Sequence, residues 1–301
     1  LFRQTCSAIV VTTFAGFLMS HAFAPAAIAE PPLEIVLWTD GHPEPRVNAE
    51  PAEMLIKGDD GLTRRSNVSV PRLFVHQPEK ELATGAAIIV SPGGGFGRLA
   101  DEHEGSDVCR WLTSHGIVGI QLAYRTPTNK HPRPVEGPAQ DLQQAVLTVR
   151  AQAQELNVDP ARVGVLGFSA GGQTTLVATA GTLVVPVNGN PKDARPDLML
   201  LIYPYQVLNP EATAIRSDIT LDASLPPTFI AQAIDDKASP PEGSAMLFVE
   251  LVKLKVPAEI HIYQTGGHGF GMRPRTPPPG ARDWSDRAVE WLRLHKFAAT
   301  P

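Results

Sequence analysis

Three hundred and one residues, 43% of them hydrophobic and 19% charged, suffice for one large α/β domain or two small ones with a real core. The formal net charge is −5 and no block of Lys and Arg stands out, which excludes a nucleic-acid-binding protein of the usual basic kind. The chain has no internal repeat or long low-complexity tract, and its 29 prolines cluster in inter-element segments such as 43–51, 127–138 and 274–279, which read as ordered loops.

The first 29 residues read as a secretory signal, leaving a single domain over 30–301. Arg3 supplies a positive start, residues 8–19 an apolar run, and Ala27-Ile28-Ala29 a small-x-small cleavage site. The run is well short of the ~20 residues that span a bilayer. The expectation is a secreted or periplasmic protein that begins near Glu30 and has no membrane association after cleavage. Cys6 would leave with the signal, so Cys109 would have no partner for an intramolecular disulfide. Set in an amphipathic segment with no motif around it, Cys109 is expected to be a buried, inert thiol.

Short apolar runs at 35–38 and 72–76 predict two strands of an antiparallel lead-in, separated by a polar, turn-rich stretch around Lys57-Gly58-Asp59-Asp60-Gly61. Asn67-Val68-Ser69 matches a glycosylation sequon, relevant only in a eukaryotic host. Residues 86–90 are continuously apolar and end in Ser91-Pro92-Gly93-Gly94-Gly95-Phe96-Gly97, the pattern of a parallel strand buried on both faces. A helix over 106–114, a strand over 117–124 and a helix over 138–156 follow. Next come a strand ending at Phe168 and a helix over 171–180, strands at 198–203 and 228–233, a helix over 243–255, a strand over 259–263 and a last helix from about 283 to 295. This βαβ alternation dictates a mostly parallel sheet with helices on both faces, because parallel neighbours require a crossover.

In such a sheet, functional groups gather beyond the C-terminal ends of the strands. Gly167-Phe168-Ser169-Ala170-Gly171 fits the G-x-S-x-G turn, which places Ser169 at a tight strand-to-helix corner where neighbours without a Cβ let helix and strand pass closely. A serine hydroxyl is a poor nucleophile at neutral pH, so it needs a histidine to take its proton and an acid to hold that histidine's tautomer. Of nine histidines, His268 stands in a glycine-flanked loop, Gly266-Gly267-His268-Gly269-Phe270, directly after the final strand. His103, His115 and His131 read as solvent or helix-end residues. The Glu102-His103-Glu104 run does not read as a metal site, because adjacent helical residues do not share a face. The strand at 228–233 ends in Ile234-Asp235-Asp236, so one of these two aspartates should orient His268; Asp236 is preferred, with Asp235 the alternative. The order Ser, acid, His is that of the α/β-hydrolases. An oxyanion hole needs backbone N–H donors, for which Ala170 and either Gly94 or Gly95 are placed. No cofactor or metal is expected.

Five segments carry a family resemblance: Pro92-Gly93-Gly94-Gly95-Phe96, Asp101-Glu102-His103-Glu104-Gly105, Gly167-Phe168-Ser169-Ala170-Gly171-Gly172, Asp235-Asp236 through Pro240-Pro241-Glu242, and Gly266-Gly267-His268-Gly269-Phe270. The chain resembles the α/β-hydrolase superfamily, and within it the exported acetyl-xylan-esterase-like carbohydrate esterases, over roughly residues 33–295. The resemblance implies an α/β-hydrolase fold, selects Asp236 as the acid, and implies hydrolysis of acetyl or other short acyl groups from sugars. Ser91-Pro92 stand before the glycines where lipase-type relatives carry His, which favours the carbohydrate-esterase branch. Phe96 stands where relatives often carry Tyr, so a substrate contact through that hydroxyl would be missing. Caps in this fold are commonly inserted after the strand at 198–203, and residues 204–226 are too few for one. The site should be open, with a small-molecule or polysaccharide ester as its partner. Two other readings remain: a prolyl-oligopeptidase-like peptidase using the same triad, and a non-catalytic hydrolase-like binding module.

Overall fold

The strand at the centre of the fold is the one that leads to Ser169, and the rest of the sheet is built outward from it. The structure is a computed structural model that describes residues 32–181, 191–272 and 280–300. The expected signal over 1–29 and the proline cluster at 274–279 lie outside the described residues. In chain order the elements are β1 (Leu33–Val36), β2 (Met54–Lys57), β3 (Thr63–Ser66), β4 (Arg72–His76), β5 (Ala87–Ser91), α1 (Asp107–Ser114), β6 (Val118–Ala123) and α2 (Glu136–Ala151). They continue with β7 (Val163–Phe168), α3 (Ala170–Ala180), β8 (Leu198–Ile202), β9 (Thr228–Ala233), α4 (Pro241–Lys253), β10 (Ala258–Tyr263) and α5 (Trp284–Leu294).

Eight strands form one sheet in the order β1-β4-β6-β5-β7-β8-β9-β10. β1 with β4 and β4 with β6 are antiparallel; every pair from β6 to β10 is parallel. The parallel strands β5 to β9 are buried along their whole length, which is why each reads as a continuous apolar run without alternation. Their side chains still alternate between two cores. Ile89 and Val165 face the layer of α2, α3 and α4, with Leu142, Leu176 and Leu247. Ile88, Val90 and Leu166 face α1 and α5, with Leu112, Trp284 and Ala288. Cys109 of α1 is fully buried and unpaired, and burial pushes its thiol pKa up.

Sequence and structure differ at three places. The stretch expected to be a polar turn contains the β2–β3 hairpin, a two-stranded antiparallel ribbon apart from the main sheet. The chain enters α1 through a π-helical turn, Glu102–Ser106. The helix expected over 138–156 runs Glu136–Ala151 and gives way to turns. Between β8 and β9 the chain carries only an isolated bridge, Leu208 with Ile215, and no cap.

Among the described residues one ion pair lies wholly in the interior. Arg125 and Asp141 have no exposed side-chain surface, and Asp141 accepts from the Arg125 backbone N–H at 2.8 Å, from its Nε at 2.9 Å and from Trp38 Nε1 at 2.8 Å. Arg125 also donates to the carbonyls of Pro43 and Pro45, which ties the irregular segment after β1 onto α2. Removing one partner strands a buried charge, so Asp141→Ala is expected to cost about 3–5 kcal/mol of stability. A fall in the urea midpoint with an unchanged slope checks this.

Candidate active site

Ser169 sits between β7 and α3 with φ 51° and ψ −119°, a left-handed conformation that a non-glycine residue holds only when its surroundings enforce it. They do so through the backbone: the Ser169 N–H donates to Ile202 O at 3.1 Å, and its carbonyl accepts from Gln173 N and Tyr205 N, both at 3.0 Å. Close passage of α3 requires glycine at 171, where a Cβ would lie 2.0 Å from Ser91 O and 2.5 Å from Pro92 O. The corner therefore points the hydroxyl outward while the helix stays against the end of β5.

Three side chains converge there. Ser169 Oγ is 2.8 Å from His268 Nε2, and His268 Nδ1 is 2.8 Å from Asp236 Oδ2. The Asp236 side chain is fully buried, and its other oxygen accepts the N–H groups of Ala238 at 2.9 Å and Ser239 at 2.8 Å. Burial alone would raise the Asp236 pKa; its bonds to His268 and to those two backbone N–H groups outweigh burial and hold the carboxyl below the ordinary value. An ionised carboxylate only accepts, so the proton between them belongs to Nδ1, and Nε2 is left to accept from the Ser169 hydroxyl. Asp235 is exposed and accepts the Gly267 N–H at 2.7 Å, fastening the start of the His268 loop. The neighbouring aspartates thus hold one loop by its side chain and by its backbone.

The loop after β5 passes above Ser169. Gly94 has φ 133°, and a Cβ there would lie 2.1 Å from Arg98 O. Gly95 has φ 63°. Neither the Gly94 nor the Gly95 N–H donates to another group among the described residues, and both glycines line the same cavity of about 330 Å³ as Ser169 and His268. Ala170 does not line that cavity; its N–H follows Ser169 directly and belongs to the first turn of α3, which has no intrahelical acceptor to offer it. A larger cavity of about 830 Å³ between residues 204–218 and 239–243 contains none of these side chains.

Glu104 is a component that sequence reasoning left without a role. It is buried, one oxygen accepts the Gly93 N–H at 2.8 Å, and the other accepts the Tyr203 hydroxyl at 2.7 Å. Tyr203 OH in turn accepts the Gly271 N–H at 3.0 Å, and its ring meets His268 edge-on at 5.1 Å. One carboxylate therefore ties the glycine loop to the His268 loop. The only signal in the sequence was the Asp-Glu-His-Glu-Gly string, which carries no geometry.

One expectation is corrected. His103 is buried against the site, with its backbone carbonyl bonded to Met272 N, because the segment after His268 folds over it; His115 and His131 are partly exposed. Phe96 is buried in the core and does not line the cavity, in keeping with the expectation that no hydroxyl contact is made from that position. Among the described residues no group of His, Cys, Asp and Glu is arranged to hold a metal.

The BD-FAE family model matches residues 73–197. The acetylxylan esterase of Xylanibacter ruminicola is 28% identical over 220 residues, 64% of this chain and 42% of that protein, so the chain spans less than half of that curated relative. The acetyl ester-xyloside bifunctional hydrolase from Caldicellulosiruptor lactoaceticus is 30% identical with a TM-score of 0.70, over 91% of this chain and 100% of that one. A thermophilic esterase of Thermogutta terrifontis, 21% identical over 86% of this chain and 96% of that chain, with a TM-score of 0.67, shares the fold. With its mostly parallel sheet, serine corner and these relatives, the chain belongs to the α/β-hydrolase superfamily, in its acetyl-xylan-esterase-like group.

Proposed function

We propose that this chain is a serine carboxylic-ester hydrolase that removes acetyl or other short acyl groups from carbohydrate esters. The observation that carries the reading is the continuous Ser169–His268–Asp236 chain of 2.8 Å contacts in a cavity that also presents the Gly94 and Gly95 backbone. In the proposed reaction Ser169 Oγ attacks the ester carbonyl and its proton passes to His268 Nε2. The carbonyl oxygen becomes an oxyanion held by the N–H groups of Ala170 and of Gly94 or Gly95. His268 then returns the proton to the departing alcohol, leaving an acyl-Ser169. Water, deprotonated by His268, attacks the acyl carbon, releasing the acid and restoring the serine. Asp236 holds the tautomer and stabilises the imidazolium without taking the proton.

The small cavity supports a short acyl group, the missing cap supports a bulky alcohol, and the acetylxylan-esterase relative supports a sugar. Acetate release from acetylated xylan, measured beside hydrolysis of p-nitrophenyl acetate, tests the reading. Turnover of both supports it; failure of both by folded protein rejects the esterase, and faster cleavage of a peptide amide would move it to a peptidase. The reading includes export, supported by the apolar run and Ala27-Ile28-Ala29, with a mature terminus at Glu30 as the mass-spectrometric expectation.

Glu104 acts in this scheme as a positioning residue. Glu104→Gln cannot accept both the Gly93 N–H and the Tyr203 O–H, so it is expected to lower kcat about 10- to 100-fold with little change in KM, the mark of a mispositioned oxyanion loop. Steady-state kinetics check this; an equal loss in kcat and a rise in KM would indicate a general collapse of the cavity.

A further inference from the structure

The wall of the Ser169 cavity carries an uneven charge. Arg64, from β3, and Arg98, from the turn that ends the glycine loop, both line it. The acidic side chain in that wall is Glu104, which is buried and has both oxygens occupied. Arg64 is tethered at the rim: its guanidinium donates to Asp60 at 2.8 Å and to the Leu62 carbonyl at 3.1 Å. Arg98 is exposed, and it makes no ion pair or hydrogen bond to any of the described residues. A guanidinium without a partner among the described residues, at the mouth of a concave site, favours an anion there, and its planar fork matches a carboxylate in particular. Arg64, whose charge Asp60 already pairs, adds fixed N–H donors beside it and no second free charge. Tethering by Asp60 also means that Arg64 loses little side-chain freedom when a ligand arrives.

We propose that Arg98 and Arg64 form an anion subsite, and that the preferred esters carry a carboxylate close to the scissile bond. The inference rests on the esterase reading and narrows its substrate class. The carboxylate can belong to the acyl group, as in a half-ester of a dicarboxylic acid, or to the alcohol, as in an acetylated uronic acid; the recognition chemistry is the same. The hairpin that delivers Arg64 lies outside the main sheet, so the subsite is an addition to the catalytic frame and not part of it.

Two matched pairs of esters test this. Mono-p-nitrophenyl succinate against p-nitrophenyl acetate reads the acyl side, and acetylated methyl glucuronide against acetylated methyl glucoside reads the alcohol side. In at least one pair the ratio of kcat/KM, charged over neutral, is expected to exceed one, to fall as salt rises from about 0.1 M to about 1 M, and to drop about fivefold in Arg98→Ala. Arg98→Lys should recover part of it. A ratio at or below one in both pairs, or one that Arg98→Ala leaves unmoved, overturns the subsite. If no ester is hydrolysed the esterase reading itself fails. Binding of succinate and of methyl glucuronide to wild type and Arg98→Ala then decides the subsite alone: weaker binding by the variant supports it, and equal or absent binding overturns it.

Discussion

Ser169→Ala is expected to lower kcat for acetyl-ester hydrolysis by at least about 10⁴-fold. The substitution removes the one atom that can bond covalently to the acyl carbon, and leaves His268 2.8 Å from an empty position. What remains is the binding and oxyanion contribution, which still exceeds catalysis by water alone. Stability should change by no more than about 1 kcal/mol, because alanine is no more strained than serine at φ 51° and only one hydrogen bond is lost. An unchanged thermal transition beside the lost activity separates chemistry from unfolding. The triad members act as a unit, so Ser169→Ala combined with His268→Ala should cost hardly more than Ser169→Ala alone.

Asp236→Asn is expected to cost about 10⁴-fold in kcat at neutral pH. Two backbone N–H groups already point at Oδ1, so an asparagine would place its carbonyl oxygen there and turn its amide group toward His268. The amide donates where the carboxylate accepted, which drives the imidazole proton to Nε2 and leaves Ser169 without a base. A pH dependence of stability accompanies the loss. The folded-state pKa of Asp236 lies below its unfolded value, so its ionised form stabilises the fold above the unfolded pKa of about 3.9. That contribution disappears as pH falls through the folded pKa. Wild type should therefore lose stability on acidification below about pH 4, and Asp236→Asn should lose less over the same interval. Denaturation midpoints at neutral and acid pH measure the difference.

The parts of this molecule that are legible in its sequence are those whose local pattern has one physical solution. A run such as Ile88-Ile89-Val90 between glycines can only be a strand covered on both faces, and the structure buries all three residues completely. A serine between paired glycines after such a strand must turn sharply, and Ser169 does. The β2–β3 hairpin escapes such reasoning because its signals are inverted: Met54, Leu55 and Ile56 are exposed, while its partner strand is Thr-Arg-Arg-Ser with Arg65 buried. Arg65 is held inside by a bond to Asp101 Oδ1 at 2.7 Å, a partner 36 residues away that no periodicity reveals. Glu104 was hidden for a similar reason. Its neighbours are Gly93 and Tyr203, and only the closed sheet brings them to one carboxylate. The burial of His103 is not legible locally because the loop after His268 imposes it, not its own helix. Local chemistry marks the proposed nucleophile and its proposed base, whereas the shell that aims them depends on long-range closure.

The most direct test of the proposed triad is covalent trapping. Protein is incubated with a p-nitrophenyl alkylphosphonate and mapped by peptide mass spectrometry. The expected result is a single adduct on Ser169, accompanied by stoichiometric loss of esterase activity and formed far more slowly in His268→Ala. Folded protein that stays unlabelled at Ser169, or that loses activity through a different residue, would contradict the assignment of Ser169 as the nucleophile.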